Sequence, residues 1–188
     1  MCVQSRAATG RNRSKRPKRL SIDPDVSAQQ TPDVDMSASL ADIRRAVTND
    51  IYDIYMLNCA SFVEAWSVMA LGMWQERGDT LDVWYSHDGR LAAYYLGQDV
   101  LDEVHIMQIA VAPEFRLSGL GRRLMQYEIE RKRAAGMASM HLEVRASNRA
   151  AQKLYTSLGF ETVGRRNAYY AAFDNHPAED AILMSFNL

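Results

Sequence analysis

Arg116-Leu117-Ser118-Gly119-Leu120-Gly121-Arg122 joins two segments of different period. His105 to Val111 before it reads as a strand, and from Leu120 onward the apolar residues recur as on one face of a helix. The first turn of a helix has N–H groups without an intrahelical partner, and the macrodipole places about half a positive charge there. Phosphates settle at such ends. Gly119 and Gly121 lack a Cβ, so the backbone is free to curl and to approach a pyrophosphate, and Arg116, Arg122 and Arg123 bring cationic charge nearby. The stretch is not a Walker loop, since no Gly-Lys-Ser/Thr follows, nor a dinucleotide fingerprint, whose third glycine is missing. On these residues alone two readings stand: an anion seat, or a strand-to-helix turn that needs glycine only for its backbone angles.

Downstream, a helix from Leu120 to Ala135 carries Leu120, Leu124, Tyr127 and the stem of Arg131 on one face and ends at Gly136. Ser139 to Val144 alternates as a strand, with Met140, Leu142 and Val144 on one side and His141, Glu143 and Arg145 on the other. Ser147 or Asn148 caps a helix to Leu158, Gly159 stops it, and strands near Thr162 to Tyr169 and Asp180 to Phe186 follow. Upstream, Ile43, Arg45 and Val47 alternate as a short strand. Asn49 or Asp50 caps a helix through Ile51 to Cys59, and a second short helix covers Ser67 to Glu76. Asp82 to Ser86 and Leu91 to Gly97 form a hairpin about His87-Asp88-Gly89-Arg90, whose Asp-Gly pair is a strong turn signal, and a strand from Glu103 to Val111 follows. The order βααββ, β, α, β, α, ββ fits an α/β (α+β) fold: a mixed, mainly antiparallel central sheet flanked by helices, with crossovers after Val111 and Val144.

At 188 residues and 47% apolar content the chain suits one well-cored domain. It shows no apolar run of about 18 residues and no secretory leader, so a cytoplasmic protein without membrane contact is expected. Cys2 and Cys59, and His87, His105, His141 and His176, show neither a disulfide framework nor metal-ligand spacing, so no metal is expected. Cys59, on a helix face with Tyr55, reads as a core cysteine and not a nucleophile. The near-neutral net charge of −1 hides a division. Seven basic residues precede the first acid, Asp23, which leaves 15 basic against 23 acidic residues after it. Residues 1–39 are basic, polar and free of aromatics, so a disordered extension is expected before a domain at 40–188. That extension reads as a solvated tail, as sequence upstream of a start at Met36, or as a weak nucleic-acid or ribosome contact.

IAVAPEFRLSGLG followed by LEVRASNRAAQKLYTSLGF resembles the GNAT superfamily of N-acetyltransferases, and the second segment with RRNAYY is similar to its RimI-type ribosomal-protein-alanine branch. The likeness covers about residues 40–188 and implies a GNAT-like sheet and acetyl-CoA as co-substrate. It gives the backbone of Ile109, Ala110 and Val111 to the acetyl-pantetheine arm. The N–H groups of Leu117, Ser118, Gly119, Leu120, Gly121 and Arg122 go to the pyrophosphate, and Asn148 contacts the cofactor as well. Glu143 matches the general base and Tyr155 the general acid. Asn148 is also a good N-cap whatever the protein does, Glu143 is also placed to pair with Arg145 or Arg149, and Tyr155 to pack as a core ring.

The residue types suit the chemistry. An α-amine with a pKa of about 7.7–8.0 must lose a proton before attacking a thioester, and the leaving thiolate, of a thiol with pKa about 8.5, must gain one. The implied acceptor is the N-terminal alanine of a small-subunit ribosomal protein. Other amines (other protein N-termini, lysine, polyamines, small amines) or a non-catalytic acyl-CoA-binding or ribosome-tethering module are the alternatives. Two departures bear on the acceptor: EAWS stands at Glu64 to Ser67 where the branch has an FPWS-like segment, and Ala168 is inserted between Arg-Arg-Asn and Tyr-Tyr. Arg165, Arg166, Tyr169 and Tyr170 either border the acceptor channel or are strand-end packing residues.

Overall fold

The computed structural model describes residues 43–173 and 177–188. The expected extension 1–39 lies outside them. A 3-10 turn leads from β1 (Ile43–Arg45) into α1 (Ile51–Ser61), and α2 (Val68–Glu76) follows after a short loop. β2 (Thr80–Tyr85), β3 (Leu91–Val100) and β4 (Glu103–Val111) then form a meander. α3 (Leu120–Ala134), β5 (Ser139–Arg145), α4 (Arg149–Ser157), β6 (Glu161–Tyr170) and β7 (Glu179–Asn187) complete the order. The seven strands make one sheet in the order β1-β2-β3-β4-β5-β7-β6, antiparallel everywhere except between β4 and β5. The predicted mixed, mainly antiparallel sheet is what forms. β1 is shorter than the alternation suggests and stops before Val47, because Val47 N–H donates to Asp50 Oδ2 at 2.7 Å and opens the next turn.

The helices divide over the two faces. Neighbouring strand residues point to opposite sides: Tyr94 reaches α1 through Asn58, and Tyr95 lies under α3 near Glu128. α3 buries Leu120, Leu124, Met125, Glu128, Ile129 and Lys132, a stripe at helical spacing. Two of these are charged. Lys132 Nζ reaches Asp99 at 2.6 Å and Thr80 Oγ1 at 3.0 Å. Glu128 lies beside Asp82, with Arg131 ion-paired to both carboxylates. Gly97 belongs to the same corner, since a Cβ there would come within 2.5 Å of the Tyr95 hydroxyl.

On the other face Asn58 is the hub of a buried network. Its Nδ2 donates to Tyr94 Oη and Gln108 Oε1, both at 2.7 Å, and its Oδ1 accepts from Trp66 N at 2.7 Å, which pins the α1–α2 loop to the sheet. Tyr94 Oη still donates to Gln108 Oε1 at 2.9 Å without it, but Asn58→Ala leaves Trp66 N without its partner and removes a bond from each of the two buried oxygens, and we expect it to lower stability by about 2 kcal/mol, read as a lower midpoint in urea unfolding. Cys59, one residue on, is exposed, and corrects the expectation of a core cysteine. Ile51, Ile54, Leu57 and Asn58 form the buried side of α1, and a step of one residue turns Cys59 away from it.

Candidate active site

β4 and β5 pair only from Glu103–Ser139 to Ile106–Leu142. Gln108 lies opposite Leu96 and Ile106 opposite Gly97, so Met107 is an extra residue in β4. Such a bulge bends the strand that carries it. Beyond it the strands run to Val111 and Arg145 with no ladder between them, leaving a gap that opens toward the start of α3. Ala112 N–H donates to Ala92 O on β3. By the alternation of an antiparallel ladder, Ala110 also turns its backbone to β3, while Ile109 and Val111 turn theirs toward the gap.

The glycine turn closes one end of the gap. Leu117 (φ 62°) and Gly119 (φ 84°) are both left-handed and flank Ser118, whose hydroxyl donates to Phe115 O at 2.6 Å. Left-handed residues set among right-handed ones bring successive N–H groups to one side, which makes a concavity for anions. Gly119 is the N-cap of α3, so the helix's unpaired N–H groups follow directly. Gly121 falls where the helix expected from Leu120 puts it. It lies inside the helix, and an added Cβ would meet Val111 Cγ2 at 3.5 Å and Leu154 Cδ2 at 3.6 Å, ordinary contact distances. The arginines also have other work. Arg116 Nε donates to Val111 O at 3.0 Å, Arg122 Nη2 to Ser157 Oγ at 2.6 Å, and the Arg123 guanidinium lies 4.9 Å from the centre of the Trp84 ring. The positive end is therefore mainly backbone.

Glu143 and Tyr155 arrive from different elements. Glu143 stands opposite Leu183 of β7, on the strand face away from Met140, Leu142 and Val144. It pairs with neither Arg145 nor Arg149. Its Oε1 lies 2.6 Å from Arg166 Nη1, and the Tyr169 hydroxyl bonds to its carboxylate, which holds that phenol above its usual pKa. Tyr155 is the buried residue of α4, its ring 5.8 Å from Phe160. Burial pushes its pKa well above 10, and the neighbouring Tyr170 phenol adds to the shift. Tyr170 is itself pushed up to about 12, by burial first and then by Glu143. It thus senses both predicted groups. Asn148 caps α4, its Oδ1 accepting from Ala151 N at 3.1 Å.

Arg145 gathers what sequence reasoning did not join. Its guanidinium lies 4.0 Å from the centre of the Tyr170 ring, 3.3 Å from Glu179 at the start of β7 and 3.7 Å from Glu64 in the α1–α2 loop. The β6–β7 arm and the EAWS loop, both singled out by their departures, meet there. Nothing in the sequence links Glu64 to Arg145, a loop residue and a β5 residue that only the fold brings together. Ala168 is left-handed (φ 47°), and its N–H donates to Asp180 Oδ1 at 2.7 Å while Arg165 Nε donates to Oδ2 at 2.6 Å. Around it β6 runs out of register with β7, between Arg166 and Tyr170.

Residues 49–160 match the sequence model of the acetyltransferase (GNAT) family, and the chain belongs to that family, whose members use acetyl-CoA as co-substrate. Within it the chain is 46% identical over 98 residues to the [ribosomal protein bS18]-alanine N-acetyltransferase of Salmonella typhimurium, a match covering 52% of this chain and 65% of the relative. The chain thus spans about two thirds of that protein's length. The protein of the same name from Haemophilus ducreyi is 31% identical over 146 residues, covering 78% of this chain and 99% of the relative. Among solved structures, the ribosomal-protein-S18-alanine N-acetyltransferase of Escherichia coli superposes with a TM-score of 0.72 at 34% identity, over 77% of this chain and 92% of that one. Among the described residues no helix is long and apolar enough to cross a membrane, and no group of three or more metal-ligating side chains occurs.

Proposed function

We propose that this chain transfers the acetyl group of acetyl-CoA to the α-amine of a protein beginning with alanine, a small-subunit ribosomal protein of the bS18 kind, by direct attack of the amine on the thioester. The observation that carries the reading is the gap between β4 and β5, which has an anion-binding turn at one end and Glu143 and Tyr155 on the elements that flank it. The turn from Leu117 to Arg122 would take the pyrophosphate through its N–H groups. Ile109 and Val111 would bond the pantetheine arm with the backbone groups that β3 leaves free. Asn148 fits less well as a contact, since its side chain is engaged in the cap.

Glu143 takes the proton that the acceptor ammonium must lose, directly or through water, and so frees the nitrogen lone pair. The carbon–nitrogen bond then forms at the thioester carbonyl. Tyr155 gives its proton to the sulfur as the carbon–sulfur bond breaks, and the second proton of the attacking nitrogen returns to the phenolate, directly or through water, leaving a neutral thiol, a neutral phenol and an amide. Burial keeps that proton on the phenol throughout the neutral range, so it is available when charge builds on sulfur. The relatives' shared acceptor supports alanine over lysine. The basic tail would add ribosome contact.

Purified protein mixed with acetyl-CoA and peptides that start with alanine or serine, or carry only a lysine amine, tests this. Thiol release with the alanine peptide, and the acetyl group located on its α-nitrogen by mass spectrometry, is the expected result. Turnover on lysine alone would reassign the acceptor, and no turnover with any amine would refute the enzyme. Deleting residues 1–35 leaves the peptide rate unchanged and weakens association with ribosomes.

A further inference from the structure

Resting on that reading, we propose that Arg166 is a stand-in for the acceptor's ammonium, holding Glu143 by an ion pair until the amine arrives and then swinging out along Tyr169. The geometry is that of an exchangeable contact. Arg166 Nη1 lies 2.6 Å from Glu143 Oε1, its guanidinium carbon sits 5.2 Å from the centre of the Tyr169 ring, and its side chain is 54% exposed. One side of the guanidinium is on the carboxylate and another is open to water. A guanidinium cannot give up its proton near neutral pH, so Glu143 cannot act as a base toward the group it is bonded to. An ammonium can give up its proton, and it presents the same charge to the same oxygen.

The other charged groups around Glu143 have anchors of their own. Along β5, His141 Nε2 bonds Ser139 Oγ at 2.8 Å, and Arg145 is held by Glu64, Glu179 and the Tyr170 ring. From β6, Tyr169 bonds Glu143 and Tyr170 packs edge-on against Tyr169. From β7, Glu179 accepts from Arg145 and from Ser147 N. Arg166 itself stands in register opposite Ala181, and β6 leaves register only beyond it, around Ala168, whose N–H Asp180 holds.

The test compares the wild type, Arg166→Ala and Arg166→Lys with acetyl-CoA and a peptide starting with alanine, with kcat and KM followed from about pH 6 to about pH 9. Arg166→Ala should lower the peptide KM about three- to fivefold, the range an exposed ion pair supports. Arg166→Lys keeps the charge and should restore the wild-type KM. A peptide KM that stays level or rises in Arg166→Ala overturns the proposal while the wild-type rate upholds the transferase. A wild type that turns over no amine overturns both.

Discussion

Glu143→Gln slows acetyl transfer to an alanine-starting peptide by about 10²- to 10⁴-fold at neutral pH, the range for loss of a positioned base. The amide keeps the size of the side chain and can still meet the Tyr169 hydroxyl, so the KM for acetyl-CoA should hardly change. The deficit shrinks as pH rises past about 8, because bulk solvent then deprotonates an α-amine unaided. Tyr155→Phe behaves differently. It removes one hydroxyl from a buried ring that packs on Phe160, lowers kcat, and leaves a deficit that does not close with pH, since the wild-type phenol keeps its proton well past pH 10. A stopped assay of free thiol from about pH 6 to about pH 10 separates the two. If both variants keep the wild-type rate, the acid and base are other groups.

The second large effect is on stability. Glu128 is fully buried beneath α3, beside Asp82, and its pKa is pushed up to about 8, by burial first and then by the Asp82 carboxylate, with Arg131 opposing. Among the described residues Glu128 Oε1, both Asp82 oxygens and the Tyr95 hydroxyl lack hydrogen-bond partners. A proton held on Glu128 gives the two carboxyl groups a shared bond. In the unfolded chain a glutamate titrates near pH 4.3. Between that value and about 8 the folded protein holds a proton that the unfolded one has released, so stability falls as pH rises across this window. Glu128→Gln carries its hydrogen permanently and removes the fall. The stability of the variant relative to the wild type should therefore grow from about pH 5 to about pH 8, by up to about 1.4 kcal/mol per pH unit. Urea unfolding at several pH values measures it. Parallel curves for the two proteins would show that Glu128 is ionised in the fold.

Much of the architecture follows from local pattern. The period of Leu120, Leu124 and Ile129 makes α3, the Asp88-Gly89 pair turns β2 into β3, and Gly119 allows the left-handed cap that starts α3. Those signals act between residues that are close in the chain, so a sequence displays them. The bulge at Met107 does not announce itself, because an apolar residue in an apolar strand looks the same paired or unpaired. Only the register against β3 shows that one residue is in excess, and that excess opens the gap between β4 and β5.

The candidate site divides the same way. The sequence carried the glycine turn and the positions of Glu143 and Tyr155, through residue types in a fixed order. It could not show that Glu143 meets Arg166, that Arg145 meets Glu64, or that Glu128 lies buried with Asp82. Charged side chains are written as surface residues by any local rule, and their partners come from strands, a loop and a helix far apart in the chain that the fold sets side by side. The chain by itself thus determined its elements, its family and the residue types of the site. The tertiary structure decided which charges face one another, because electrostatic partnership depends on distance and burial in space.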